Sequence, residues 1–285
     1  MIEVKNVSYV YSAGTPFEVK ALDDVSFTIG EGEFIGLIGH TGSGKSTLVN
    51  IISGIVKPTS GQVLIDNIDI TNQKSVTRAL KGKIGLVFQY PEYQLFEETV
   101  YKDIAFGPKN IGVPDSEIDD RVKEALKTVG LSEDILNKSP FELSGGQKRR
   151  VAIAGILSMK PKILILDEPT AGLDPGGRDE ILGRIKELHS DYSITVILVS
   201  HSMEDVAKIC EKVIVMSQGK ILKYSYLDEV FKDSEELREN GLSVPEITTI
   251  MQKLKSLGLD VRDDIFRIED AKEEILKILK GGEDQ

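Results

Sequence analysis

Cysteine, histidine and tryptophan are scarce in this chain of 285 residues, which contains one cysteine, three histidines and no tryptophan. The single thiol, Cys210, excludes an intramolecular disulfide, and we interpret it as a small buried apolar residue. The longest apolar runs, such as residues 194–200, are far too short to cross a bilayer. The chain also starts without the pattern of a secretory signal peptide. If the protein serves a membrane process, we therefore expect another chain to supply the membrane-spanning part.

Positively charged residues are also in deficit, because the chain has 35 Lys and Arg residues and 46 Asp and Glu residues. Its net charge is therefore −11. Broad binding to nucleic acid favours a basic surface, so we expect no nucleic-acid partner. Hydrophobic residues make up 40% and charged residues 28% of the chain, as in a soluble globular protein. The length suits one large domain with a smaller attachment.

A glycine-rich loop at residues 39–47 fits the pattern G-x-x-x-x-G-K-[ST] between a short apolar strand and a helix. Its glycines let successive N–H groups turn inward around an anion, and the helix start adds unpaired donors and a positive dipole end. The pattern predicts that Lys45 reaches the β and γ phosphates of a nucleotide and that the Ser46 hydroxyl binds Mg²⁺. The predicted nucleotide-binding residues of this loop are Gly39, His40, Thr41, Gly42, Ser43, Gly44, Lys45, Ser46 and Thr47, with the His40 side chain incidental.

A second apolar strand, at residues 163–166, ends in Asp167 and Glu168. A continuous apolar strand is expected in the centre of a parallel sheet that is covered on both faces. We predict that Asp167 holds Mg²⁺, directly or through water, and that Glu168 acts on the attacking water as a general base or orienter. Two acids at a strand end also fit a solvated terminus, but combined with the glycine-rich loop they indicate a nucleoside triphosphatase.

The segment L-S-G-G-Q at residues 143–147 completes a set of motifs that resembles the ATP-binding cassette (ABC) ATPases over about residues 1–225. The resemblance implies that Gln89 is the Q-loop glutamine, with a catalytic role and a place among the Mg²⁺ ligands. It implies that Asp174 is the D-loop aspartate and that His201 is the switch histidine at the γ phosphate. Many relatives carry Asp where this chain has Ser202, so the chain departs from the family pattern next to His201.

Tyr11 matches the aromatic residue that stacks on adenine in this family. Tyr9 and Phe17 are nearby aromatics, and the alternative is that Tyr11 packs within its sheet. The basic residues 148–150 follow L-S-G-G-Q, and we interpret them as a helical face near phosphate rather than a nucleic-acid patch.

The L-S-G-G-Q segment would open a helix over residues 147–159 and form a second anion site there. One nucleotide does not need two such sites, so the motif predicts a dimer. In the family, this segment of one subunit caps the γ phosphate held by the other. The second-site residues are Ser144, Gly145, Gly146 and Gln147.

Residues 88–100 and 103–108, with the glycine-rich loop and the C-terminal extension, look like the ATPase subunits of energy-coupling factor (ECF) transporters, specifically the second type in systems with two ATPases. These importers carry vitamins or transition-metal ions. The resemblance implies ATP and Mg²⁺ as cofactors and a second ECF ATPase as hetero- or homodimer partner. It also implies a transmembrane T component docking on residues 90–106, a substrate-binding S component, and a peripheral location at the cytoplasmic face of the cell membrane.

The predicted fold class is α/β, a P-loop NTPase (RecA-like) core with an antiparallel β subdomain, an inserted helical subdomain and a small C-terminal α/β domain. We place the nucleotide-binding domain at residues 1–225, with the helical subdomain at about 90–159. A dimerisation domain takes residues 226–285. Residues 2–9 are expected to form an edge strand and residues 265–268 a short strand.

Three other functions stay open from the sequence. The chain could energise another ABC importer or exporter, or it could be a soluble ABC ATPase of DNA repair or translation. Soluble members of that class usually have a long coiled-coil insertion or two tandem cassettes, and this chain has neither. The third alternative is an ATP-binding scaffold without turnover, against which Glu168 argues.

Overall fold

A computed structural model describes residues 1–71, 80, 82–232 and 234–281. The strands of this part are β1 Ile2–Tyr11, β2 Val19–Ile29, β3 Phe34–Gly39, β4 Ser60–Ile65, β5 Ile68–Asp69, β6 Ile84–Val87, β7 Ile163–Asp167, β8 Thr195–Val199, β9 Lys212–Ser217 and β10 Lys220–Tyr226. Its α-helices are α1 Lys45–Ile52, α2 Val100–Ile111, α3 Asp115–Thr128, α4 Gly145–Leu157, α5 Pro175–Tyr192, α6 Met203–Ile209, α7 Leu227–Lys232, α8 Ser234–Glu239, α9 Glu246–Ser256 and α10 Ile268–Gly281.

The smaller sheet is antiparallel and has the strand order β2-β1-β4-β5. Alternation along β1 buries Ile2 and Val4 on one face, as the sequence pattern indicates. The prediction that residues 2–9 form an edge strand is wrong, because Ile2 pairs with Ile29 on one side and Ile65 on the other. Both partners are distant in sequence, so the local pattern of β1 carries no sign of them.

The larger sheet has the order β10-β9-β3-β8-β7-β6, in which β10 is antiparallel to β9 and the other strands are parallel. The predicted central strand is β7, which lies between β8 and β6 and is buried along its apolar residues. Because the strands are parallel, the carboxyl ends of β3, β6, β7 and β8 meet at one edge of the sheet. This edge is where ligands bind in open α/β sheets.

Two large apolar clusters hold these layers together. The first lies between the two sheets and α1, where Ile2 and Ile29 of the smaller sheet join Ile35 and Ile165 of the larger one. The second covers the opposite face of the larger sheet and includes residues of α2 to α6. The helices α2, α3 and α4 all fall between β6 and β7, as expected for an inserted helical segment.

In the C-terminal segment the described residues form α7 to α10 and connecting loops without a strand, so the predicted strand at residues 265–268 is wrong. Ile265 lies in a loop, and Ile268 begins α10. Ile265 is instead buried in a small cluster with Met251 and Val261, which explains the apolar residue without a partner strand. Residues 233 and 282–285 of the predicted dimerisation domain lie outside the described residues, and its boundary at 226 stays a prediction.

The helix α7 packs against the nucleotide-binding core although it follows the predicted boundary. Leu227, Val230 and Phe231 are fully or nearly fully buried in the cluster that covers the larger sheet. The Phe231 ring also lies 5.5 Å from the Phe266 ring, between centroids. This segment therefore contributes to the stability of the core and not only to a separate unit.

We expect Phe231→Ala to lower the free energy of unfolding of the core by about 3–5 kcal/mol, because it opens a cavity at a fully buried position. Urea denaturation followed by circular dichroism measures the change. Phe17→Ala is the matched control, since the Phe17 side chain is 81% exposed. An unchanged denaturation midpoint for Phe231→Ala would show that α7 does not stabilise the core.

Candidate active site

The glycine-rich loop connects β3 to α1 in the predicted strand–loop–helix context. Gly42 and Gly44 have φ angles of 81° and 105°, a region that side chains rarely adopt. A Cβ on Gly44 would also lie 2.6 Å from the Ala21 carbonyl oxygen. Gly44 precedes α1, and no described side chain caps the first turn of that helix, which also lacks acidic residues. The unpaired N–H groups and the positive end of the helix dipole therefore face the loop.

Lys45 is buried and folds back over this loop. Its Nζ donates hydrogen bonds to the carbonyl oxygens of Gly39, at 2.7 Å, and His40, at 3.0 Å. Burial lowers the pKa of Lys45, while the carboxylates of Glu168 and Asp167 oppose that shift. The ammonium group is thus held at the centre of the loop and faces both predicted acids. The His40 Nδ1 lies 2.8 Å from the Thr41 carbonyl oxygen of the same loop.

Glu168 is the residue on which the predicted catalytic residues converge. Its Oε2 accepts a hydrogen bond from Gln89 Nε2 at 2.9 Å, and its Oε1 lies 2.9 Å from His201 Nε2. A carboxylate has about four lone-pair sites, so each oxygen can still accept a proton or a hydrogen bond from water. The structure therefore brings Glu168 together with Gln89, which lies 79 positions before it in the chain, and with His201, which lies 33 positions after it.

The backbone of Glu168 is held in an unusual conformation, with φ at 50° in the left-handed region. A non-glycine residue there is uncommon, and such strain persists only where the surroundings fix it. The Glu168 N–H donates to the Val199 carbonyl oxygen at 3.0 Å, and its own carbonyl oxygen accepts from the Ala171 N–H at 3.1 Å. These bonds fix a sharp turn that aims the carboxylate across the carboxyl ends of β6 and β8.

Asp167 lies at the end of β7 and is partly buried. The pKa of Asp167 is raised, mainly by burial and to a lesser extent by the neighbouring Glu168 carboxylate. The positive charges of Lys45 and His201 oppose this shift. Ser46 lies on the exposed side of the first turn of α1. Gln89 keeps its amide oxygen as an oxygen ligand, because Nε2 is the atom that donates to Glu168. This set of carboxylate, hydroxyl and amide oxygens suits Mg²⁺, which prefers a few protein oxygens and retains several waters.

The L-S-G-G-Q segment forms the exposed start of α4. Ser144 and Gln147 make a capping box, in which Ser144 Oγ accepts from the Gln147 N–H at 3.3 Å and Gln147 Oε1 accepts from the Ser144 N–H at 3.0 Å. A Cβ added at Gly145 or Gly146 would meet nothing within 4 Å. In the described part of the chain, the hydrogen bonds of Ser144 and Gln147 stay within this turn. The motif is therefore open to a ligand or a second chain.

Asp174 and Tyr11 make contacts within the chain that are separate from their predicted roles in nucleotide binding. Asp174 is the N-cap residue of α5, and its Oδ1 accepts a hydrogen bond from the Gly177 N–H at 2.7 Å. The Tyr11 hydroxyl lies 3.1 Å from Thr47 Oγ1, and the Tyr11 ring contacts Tyr9 edge-to-face at 4.7 Å between centroids. Tyr11 thus combines packing in its sheet with a place directly beside the glycine-rich loop. Its predicted contact with adenine stays a prediction.

Ser202, which departs from the pattern of the resembled family, stabilises a helix. It is the N-cap residue directly before α6, and its Oγ accepts hydrogen bonds from the Asp205 N–H at 3.2 Å and from Arg178 Nη2 at 2.8 Å. Arg178 Nη2 also donates to the buried Asp205 at 2.8 Å, and Asp205 accepts from Thr170 Oγ1 at 2.7 Å. This network ties the turn after Glu168 to the loop that carries His201. No local pattern in the sequence indicates this network.

The interpretation of residues 148–150 as a basic face near phosphate is wrong for Arg149. Its side chain is buried and pairs with Glu92, with Nε to Oε2 and Nη2 to Oε1 both at 3.0 Å. The helical spacing indicated this burial, because Arg149 lies four residues before Ile153 and eight before Leu157. These three residues share one face of α4, and both apolar residues are buried. Arg150 instead pairs with Glu180 on α5.

No described helix is long and apolar enough to cross a membrane. The described residues likewise contain no group of three or more histidine, cysteine or acidic side chains arranged to hold a metal ion by themselves.

Comparisons with known proteins agree with this geometry. The ABC transporter family model matches residues 22–171. The energy-coupling factor transporter ATP-binding protein EcfA2 of Clostridium acetobutylicum is 58% identical over 280 residues, which cover 98% of each chain.

Two solved structures share the fold. Clostridium perfringens cbiO1, described as part of the ABC transporter complex cbiONQ, is 42% identical with a TM-score of 0.74, over 88% of this chain and 98% of its own. A dimeric ATP-binding cassette in a post-hydrolysis state bound to ADP and Pi is 34% identical with a TM-score of 0.71, over 80% and 99%. The predicted P-loop NTPase fold class is thereby confirmed. The chain belongs to the ABC transporter family and, within it, to the energy-coupling factor transporter ATP-binding proteins.

Proposed function

We propose that this ATPase subunit binds ATP with Mg²⁺ on the glycine-rich loop and hydrolyses it to power an ECF-type importer of vitamins or transition-metal ions. The observation that carries the proposal is the convergence of Gln89 and His201 on the Glu168 carboxylate beside the loop. A carboxylate held in this way at the carboxyl edge of a parallel sheet is positioned to act on a water that attacks a phosphate on the loop.

Each residue of the site then has a defined task. Loop N–H groups and Lys45 bind the phosphates, and Lys45 supplies a charge-assisted contact. Glu168 accepts a proton from the attacking water, while His201 and Gln89 hold its two oxygens in place. Ser46, Gln89 and Asp167 would hold Mg²⁺, which neutralises charge on the phosphate oxygens.

A second ATPase subunit completes the site in this proposal. The start of α4 is exposed and its glycines are uncrowded, so it can approach a phosphate held by another chain. The similar dimeric cassette with ADP and Pi supports a paired arrangement. Two sites would then lie between the subunits, and closure would surround the transferred phosphoryl group with donors from both chains. The partner is a second ECF ATPase, identical or different.

A transmembrane T component is proposed to dock on residues 90–106, with an S component that selects the substrate. In this proposal the chain lies at the cytoplasmic face of the cell membrane. Tyr93 and Phe96 are 85% and 60% exposed in that segment, which suits an aromatic anchor for a partner helix. Phe96 also packs edge-to-face on Phe106, with centroids 4.9 Å apart, so Tyr93 is the more available of the two.

We expect Glu168→Gln to reduce turnover at least about 100-fold, because the amide cannot accept the water proton. Phosphate release measures turnover, and light scattering with ATP detects the dimer that the variant should trap. Glu187→Gln is the control, since Glu187 is an exposed acid on α5. Phosphate release at the wild-type rate from Glu168→Gln would remove Glu168 from its role.

Lys45→Ala should weaken ATP binding by about 2 kcal/mol, which is roughly 30-fold in Kd, through loss of a charge-assisted contact. Titration with a fluorescent ATP analogue measures the affinity. Lys57→Ala, at an exposed position after α1, should bind as the wild type does. Equal affinities for all three proteins would contradict the assignment of the loop.

Affinity purification from detergent-solubilised membranes should bring an integral membrane T component and a second ATPase with the tagged chain. Tyr93→Ser should reduce recovery of the membrane protein, because it removes an exposed aromatic anchor. Phe17→Ser, at an exposed aromatic outside residues 90–106, is the control. Recovery without any membrane protein would count against the transporter assignment.

A further inference from the structure

Arg149 is a buried cation at the meeting point of three segments of the active site. It lies on α4, five residues after Ser144, the N-cap residue of this helix. Its Nε and Nη2 donate to the two carboxylate oxygens of Glu92, which lies three residues after Gln89. Its Nη1 donates to the Pro169 carbonyl oxygen at 3.2 Å and the Ala171 carbonyl oxygen at 2.7 Å. One guanidinium thus joins α4, the Gln89 segment and the turn that follows Glu168.

The geometry at Arg149 uses properties that only arginine has. A planar guanidinium presents its N–H groups in a fixed fork, so it can bind a carboxylate with two parallel bonds and still donate to carbonyl oxygens on its other side. Lysine has one ammonium group and cannot hold these four acceptors in the same directions. The side chain of Arg149 is 3% exposed and that of Glu92 is 19% exposed, so water does not replace these contacts readily.

The two segments that Arg149 joins both contain strained backbone. Tyr90 has a φ of 54° and Glu168 a φ of 50°, both in the left-handed region. The Tyr90 ring centroid lies 5.8 Å from Arg149 Cζ, and a Cβ on Gly172 would lie 3.8 Å from the same ring. Strained residues persist only where neighbouring contacts over-determine them. The contacts of Arg149 are adjacent to both strained positions.

We propose that Arg149, paired with Glu92, is a positioning residue that fixes the Glu168 turn relative to the Gln89 segment and so sets the rate of ATP hydrolysis without touching nucleotide. This inference rests on the proposed roles of Glu168 and Gln89. The hydrogen bond between Gln89 and Glu168 spans the same two segments, so movement of one against the other would lengthen it. A displacement of about 1 Å at a catalytic group can lower a rate about 100-fold.

The first test compares Arg149→Lys and Glu92→Gln with the wild-type full-length chain in steady-state ATP hydrolysis. Both variants should lower kcat by about 100-fold and leave KM for ATP close to the wild-type value, because the phosphate loop is unchanged. A raised KM with unchanged kcat, or wild-type kcat in both variants, would overturn the proposal. If Arg149→Lys does not fold, Glu92→Gln alone still tests the proposal, because Glu92 is less buried than Arg149 and glutamine has nearly the same shape as glutamate.

Arg121 and Glu117 provide a matched control pair. They form an ion pair at 3.1 Å between Arg121 Nη2 and Glu117 Oε2 on α3, within the same helical insertion. Arg121→Lys and Glu117→Gln make the same chemical changes away from the segments that Arg149 joins. Both should retain the wild-type kcat. A loss in these controls equal to that in the Arg149 and Glu92 variants would overturn the proposal, because general disturbance of the helical insertion would then explain the lower rate.

A double variant separates positioning of Glu168 from a structural role. If Arg149 acts through the Glu168 carboxylate, adding Arg149→Lys to Glu168→Gln should not lower the residual turnover further. A further loss equal to the full effect of Arg149→Lys alone would show independent action and overturn the proposal. Wild-type turnover in Glu168→Gln alone would instead refute the proposed role of Glu168, so the two failures are distinguishable.

Discussion

The parallel arrangement of β3, β6, β7 and β8 is the constraint on which the active site depends. Because these strands run in one direction with matched register, their carboxyl ends reach one edge of the sheet. Each of these strand ends carries one part of the site: the glycine-rich loop, Gln89, the Asp167–Glu168 pair or His201. A hydrogen bond between side chains as far apart in sequence as Gln89 and Glu168 follows from that alignment.

The chemistry of this edge arises from packing as well as from residue type. Lys45 is buried among backbone carbonyl oxygens and faces two acids, and Asp167 is partly desolvated beside Glu168. Charges held in a site of low solvent access act more strongly on a ligand than the same charges on a wet surface. The exposed start of α4 is the complementary feature, since Gly145 and Gly146 are uncrowded there. A site divided in this way fits the paired subunits that we propose.

Arg149 shows how a buried ionic contact can support a site that it does not enter. A buried arginine is costly unless its donors are paired, and here four of its five N–H donors bond to Glu92, Pro169 and Ala171. Those partners belong to segments whose backbone is strained at Tyr90 and Glu168. The network of Thr170, Arg178 and Asp205 supports the same turn from the side of the His201 loop. The turn is thus held from two directions.

The sequence by itself determined the glycine-rich loop, the apolar strand before Asp167 and Glu168, the order of the motifs and the family, because each depends on residue types at short spacing. The interior place of β1, the loop conformation at Ile265 and the burial of Arg149 were decided only by the tertiary structure. Each depends on a partner that is remote in the chain: β4 for β1, Met251 and Val261 for Ile265, and Glu92 for Arg149. Local patterns report which face of an element is apolar, but they do not report what will cover that face or pair with a charge on it.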